Sequence, residues 1–206
     1  MFLKSTKVCL LLVRVCWEHK DMVEKDIAQR IEETITSVWN NEIQSDYKKL
    51  WLLKEDSLKN ALYFHLRTHL GKLFDENNIR IFTEFTDHTF RHSGYRPDMV
   101  IAKIDPDADV SYWGDAVTEC IAVIEIKYKT GFSASKKIYS DYDKLKYYTD
   151  ILGVTGKLYM ATIWEYEDDK TAWLVDAEWA HSKVVELNAS YKIDSNYEPQ
   201  FYVIKH

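Results

Sequence analysis

The stretch CIAVIEIKY, residues 120–128, decides how this chain folds. It is apolar enough for an interior strand, yet Glu125 and Lys127 stand two apart inside it. Successive side chains on a strand point to opposite faces, so these charges emerge together on one face while Ile124 and Ile126 pack on the other. An acid and a base side by side near the middle of a sheet need a chemical reason.

Outward from this strand, IRIFTEF (79–85) and DMVIAKI (98–104) also read with period two and predict the two preceding strands of a meander. The connection from Asp105 to Glu119 is acidic, and Pro106 and Gly114 punctuate it as loop. Upstream the period becomes 3.6. Val23, Ile27, Ile31, Ile35, Val38 and Ile43 predict a helix over 21–44, and Leu50, Leu58, Leu62, Leu66, Leu70 and Leu73 predict one further helix or two. Asp56 or Ser57 would cap a fresh start, and Asn77 and Asn78 the end.

Downstream, YSDYDKLKYYTDIL (139–152) predicts a helix with Tyr142, Leu145, Tyr148 and Ile151 on one side. Strands follow in GKLYMATIWE (156–165), KTAWLVDAEW (170–179), KVVEL (183–187) and FYVIK (201–205). The strand-helix-strand passage from Ile121 to Ile163 predicts a right-handed crossover. The fold class is therefore α/β: a mixed central sheet flanked by helices, with an N-terminal helical extension. We expect a single domain over 1–206, with 1–50 as the extension, 55–164 as the core and 165–206 as C-terminal strands and loops.

The 206 residues suffice for one hydrophobic core, and 46% apolar with 29% charged residues is an ordinary globular composition. A net charge of −6 argues against a protein wrapped by nucleic acid on all sides, but leaves room for a local basic patch. Cys9, Cys16 and Cys120 make neither a disulfide framework nor a cysteine zinc site, which suits a reducing, cytoplasmic setting. Arg14 interrupts the apolar run near the start, so we expect a strand or helix of the fold there and no membrane partner.

A site that cleaves phosphodiesters needs acidic oxygens to hold a divalent cation, a water made acidic, and a positive group to meet the charge growing on phosphate. Asp98 and Glu125 on adjacent strands, the carbonyl of Ile126 between the charges, and Lys127 about 7 Å along the strand from Glu125 meet that description.

RPDMVIA (96–102) and VIEIKYK (123–129) together resemble the PD-(D/E)xK nuclease superfamily, the restriction-endonuclease-like fold. The resemblance covers about Glu55 to Trp164 and rests on Pro97, Asp98, Glu125, Ile126 and Lys127. It implies Mg²⁺, or else Mn²⁺, held by Asp98 and Glu125, with Lys127 assisting the attacking water or the phosphate. It also implies a further acid, either Glu84 at the end of the first strand or Glu55 in the upstream helix, with Glu84 favoured for its proximity. The substrate would be nucleic acid, DNA first, and a homodimer, helicase or specificity subunit could be needed. The alternative is a non-catalytic nucleic-acid-binding or protein-interaction module of the same fold.

Lys129, Lys136, Lys137, Lys144 and Lys146 outweigh Asp141 and Asp143 after the third strand, and could carry a phosphate backbone. Asp143 and Lys144 would match an acid and a lysine pointed at the site. Arg96 could contact phosphate and Tyr95 a base; His88 and His92 flank the same loop. Other chemistries fit poorly. HLRTH (65–69) lacks the glutamate of a zinc-protease helix, DPDADV (105–110) lacks the glycine of a calcium loop, GVTGK (153–157) is too short for a phosphate loop, and no GxSxG elbow occurs.

Overall fold

The computed structural model describes residues 5–87, 90, 91, 93–129, 135–150, 152, 154–165, 174, 177–191 and 198–206, with backbone alone for 5–21, 135–139 and 191. Helix α1 (Ser5–Val38) runs through a π-helical turn, Trp39–Ile43, into α2 (Gln44–Lys48). The wider turn shifts the apolar stripe by a residue, so Trp39 and Ile43 both stay buried. The Trp39 indole N–H donates to the Asn188 carbonyl at 3.1 Å, tying this helical run to the sheet.

The second helical stretch is a separate element, α3 (Glu55–Glu76). Its break is made by Ser57, whose hydroxyl accepts from the Leu53 and Lys54 amides at 3.1 Å each. Those donors precede the helix and have no intrahelical partner, the usual deficit at a helix start. Leu58, Leu62, Leu66, Leu70 and Leu73 form its buried face.

Six strands form one sheet in chain order: β1 (Ile79–Thr83), β2 (Met99–Ile104), β3 (Val117–Lys129), β4 (Lys157–Trp164), β5 (Val184–Tyr191) and β6 (Pro199–Lys205). β1 to β3 are an antiparallel meander, β3 to β5 run parallel, and β6 returns antiparallel. The sheet is thus mixed, with β3 in its interior. Helix α4 (Ser135–Asp150) makes the crossover from β3 to β4. The strand expected over 170–179 is not found where that stretch is described, since Glu178–Ala180 forms a short 3-10 helix. Residues 170–173, 175 and 176 lie outside the described set.

Two apolar layers cover the sheet. On one face the even-numbered β3 residues Ile124, Ile126 and Tyr128 pack with α3 and with Ile31, Ile35 and Trp39, so the helical extension contributes to the main core. On the other face Val100, Val123 and Met160 pack beneath Tyr142, Leu145 and Tyr148 of α4. Among the described residues no helix is long and apolar enough to cross a membrane.

Candidate functional site

The β2–β3 register sets the site. Met99 pairs with Ile124, so one step further Asp98 comes level with Glu125, with Cβ atoms about 5 Å apart by antiparallel geometry. Asp98 shares the parity of Val100, and Glu125 and Lys127 share that of Val123, which places all three on the α4 face. Because β2 begins only at Met99, the Ile126 amide takes a side chain in place of the ladder and donates to Asp98 Oδ2 at 2.8 Å. The Ile126 carbonyl, on the same strand edge, faces Asp98 as well.

Glu125 is 1% exposed. Its Oε1 accepts from the Tyr148 hydroxyl at 2.8 Å, and Oε2 stands 3.6 Å from Lys144 Nζ. Burial and then the nearby Asp98 push its carboxyl up to about 8, against the partial relief given by Lys144 and Tyr148. The Tyr148 hydroxyl is itself held neutral by burial and by Glu125.

Lys127 Nζ lies 3.4 Å from both Glu55 Oε1 and Asp141 Oδ2. Burial alone would favour the neutral amine, but Asp141, Glu55 and Asp98 outweigh it and keep the ammonium charged. Helix α4 presents Asp141, Lys144 and Tyr148 at three- and four-residue spacing on one stripe. Asp141, 2% exposed, joins Lys144 at 2.6 Å through Oδ1, while its Oδ2 accepts no hydrogen bond. The 3.4 Å approach of Lys127 to that oxygen is therefore an electrostatic contact without hydrogen-bond geometry.

On the far side, Glu84 follows the last residue of β1 in the left-handed region, φ 51°. A non-glycine residue there is uncommon, and the twist turns this side chain back toward α3. It pairs with Lys59, while Arg96 Nε donates to its Oε2 at 2.7 Å; Lys59 also lies 3.7 Å from Asp98 Oδ1. The Lys59 hydrogen bond, opposed by partial burial, holds the Glu84 carboxyl below its ordinary value.

Five carboxylates (Glu55, Glu84, Asp98, Glu125, Asp141) thus interleave with four cations (Lys59, Arg96, Lys127, Lys144). With Glu125 protonated below pH about 8, the cluster is neutral. Lysines stand between the acids, and among the described residues no three His, Cys, Asp and Glu side chains converge as a ready metal cage.

That arrangement excludes a built tetrahedral zinc site or a many-ligand calcium site at these residues, but suits Mg²⁺, which keeps several waters and needs only one or two protein carboxylates. The donors fit that ion in kind. They are hard oxygens, two of them on mutually repelling carboxylates whose repulsion a cation would relieve.

The remaining sequence candidates fall around this centre. Lys144 turns inward between Asp141 and Glu125, and Asp143 is exposed, so Asp141 takes the place expected of Asp143. Its spacing from Leu145 and Tyr148 was the available signal. Lys59 escaped sequence reading because nothing in its helix marks it as facing a carboxylate across the fold. The Tyr95 and Tyr147 ring centres lie 5.1 Å apart in a T-shaped contact, beside the Glu125 partner Tyr148. Lys129 ends β3, half-buried. The Lys136 and Lys137 side chains, and His88 and His92, lie outside the described residues. His65 and His69 pair separately with Asp46 and Glu42, each at 2.8 Å.

Compared with known proteins, the chain matches no family model, no curated protein and no solved structure, so its chemistry is read from this cluster alone.

Proposed function

We propose that the chain is a metal-dependent nuclease of the PD-(D/E)xK kind, hydrolysing phosphodiesters in nucleic acid, with DNA as the first candidate. One observation carries this reading: Asp98, Glu125 and Lys127 share one sheet face, with Asp98 level with Glu125 and its carboxylate on the Ile126 amide. Asp98 and Glu125 would hold Mg²⁺, with the Ile126 carbonyl as a third oxygen and Glu84 or Glu55 reaching it through water; Mn²⁺ has the same donor preferences. A bound divalent cation would supply Lewis acidity and an acidified water at neutral pH.

The chain's own groups do the rest. Lys127, fixed between Glu55 and Asp141 and kept charged, offers an ammonium to the growing charge on phosphate, or orients the attacking water. Lys144 must leave Glu125, and Lys59 must leave Asp98, for those oxygens to serve as ligands; Asp141 and Glu84 are the carboxylates that would keep them. Arg96, exposed beside Glu84, is placed to meet backbone phosphate.

The interleaved lysines favour a second reading. A charge-compensated cluster without a ready cage also suits a non-catalytic nucleic-acid-binding or protein-interaction module of this fold. One experiment separates them: labelled single-stranded, duplex and branched DNA, and RNA, incubated with Mg²⁺, Mn²⁺ or chelator. The nuclease reading expects metal-dependent products from the wild type, and their loss in Asp98→Asn, Glu125→Gln and Lys127→Ala with folding retained. Binding with no cleavage in either metal would establish the module instead.

A further inference from the structure

We propose that the groove running from Glu84 along the β1–β2 edge is a subsite for an unstacked nucleobase, so that the preferred substrate is single-stranded or frayed nucleic acid. This names the substrate class within the nuclease reading and rests on it for the identity of the neighbouring site.

The groove has a volume of about 510 Å³, within the range of small-molecule pockets, and its lining residues Phe82, Phe85, Ile104 and Val117 belong to the apolar layer on the α4 face of the sheet. Glu84 lies in its wall and also binds Lys59 and Arg96, so groove and candidate centre share a side chain. Four aromatic side chains, Phe82, Phe85, Tyr112 and Trp113, are in its lining.

Tyr112 is set in advance. Its hydroxyl donates to the Thr86 carbonyl at 3.1 Å, and the Arg91 guanidinium lies 4.5 Å from its ring centre while reaching Asp115 at 3.3 Å. Gly114 allows this fold-back, since a Cβ there would stand 2.4 Å from the Tyr112 ring and 3.1 Å from the Thr86 carbonyl. Trp113, next to this fixed ring, is 81% exposed. An indole left in water beside a groove, with no ring contact among the described residues, is a stacking surface.

Charge decides the occupant. Arg96, paired with Glu84, stands at that end, where a phosphate would sit, while Asp105 lines the far end and Asp107 and Asp109 follow it; Arg80, the cation in the lining, is already engaged by the Phe74 and Ile79 carbonyls and lies 3.5 Å from Asp75. Phosphate is therefore repelled from the groove's depth, and a neutral, flat group attached to a phosphate at the Arg96 end is favoured. A nucleobase has that form, and its exocyclic amino group could donate to a carboxylate such as Asp105. Stacking on aromatic rings tolerates any base. A base paired within duplex cannot enter.

The test needs no turnover. Fluorescein-labelled single-stranded DNA and a blunt duplex of the same sequence are titrated with protein in chelator, and anisotropy is read for wild type, Trp113→Ala and Trp113→Phe. We expect single strands to bind tighter than duplex. Trp113→Ala should weaken the single strand about tenfold, the worth of one stacked base, with duplex binding unchanged and Trp113→Phe largely restoring it. Equal affinity for the two DNAs, or a single-strand affinity indifferent to Trp113→Ala, overturns the subsite. So does a concentration-dependent dimer that Trp113→Ala dissociates, which would assign the indole to a second copy. Cleavage by a protein lacking this Trp113 dependence would sink the groove alone. Trp113-dependent binding without cleavage would sink the nuclease reading alone.

Discussion

Replacing Glu125 by Gln in metal-free protein should stabilise it, increasingly so as pH rises. The carboxyl titrates at 4.5 in an ordinary setting and at about 8 in the fold. Below 4.5 folded and unfolded chains both hold the proton. Between 4.5 and about 8 the unfolded chain has released it and the folded chain has not, so this group lowers stability as pH increases, and above about 8 the loss is complete. At about 1.4 kcal/mol per tenfold change in acidity, the ceiling is roughly 5 kcal/mol.

The Glu125→Gln side chain keeps an oxygen for the Tyr148 hydroxyl and carries no charge to titrate, so the wild-type-minus-variant difference isolates the effect. The assay is urea unfolding of both proteins in chelator, from about pH 4.5 to about pH 9. We expect the variant to gain several kcal/mol on the wild type across that range, levelling off above pH about 8. Millimolar Mg²⁺ at the alkaline end should then stabilise the wild type and leave the variant unchanged, because a ligand stabilises only the state that binds it. A difference that stays flat with pH would refute the reasoning, since it would mean that the carboxylate is hydrated or fully paired.

Lys59→Ala removes the cation between Glu84 and Asp98. It should cost about 1–3 kcal/mol in thermal unfolding, yet enlarge the rise in melting temperature produced by Mg²⁺, because Lys59 and the metal compete for the same oxygens. Gly156→Ala places a Cβ 2.1 Å from the Cys120 carbonyl oxygen and 2.6 Å from that of Ile121, both backbone atoms where β3 and β4 come alongside. It should destabilise by about 3 kcal/mol or more in denaturant unfolding.

Much of the fold was legible because periodicity reports burial directly. The leucine stripe of α3, the alternation through β1 to β3 and the crossover helix α4 all follow from which residues must leave water. The sequence left one helix or two open before α3, with Asp56 or Ser57 as candidate cap; the helix in fact starts at Glu55 with Lys54 as its N-cap and Ser57 three residues further on. Within KTAWLVDAEW the expected strand does not extend through Glu178 and Trp179, which belong to a 3-10 helix, because a local pattern cannot tell a strand end from a short helical turn.

For the site, sequence alone determined that Glu125 and Lys127 share a face, since strand alternation requires it, and marked Asp98 as the acid opening the strand before. It could not bring Asp98 level with Glu125, because register depends on pairing through a loop whose length does not set the alignment. Nor could it supply Lys59, Asp141 and Tyr148, which reach the carboxylates from two helices on different elements of the fold. Those contacts exist only once both helices are docked, and they decide which acids carry charge. Alternation is a property of neighbouring residues, whereas protonation depends on distance through space.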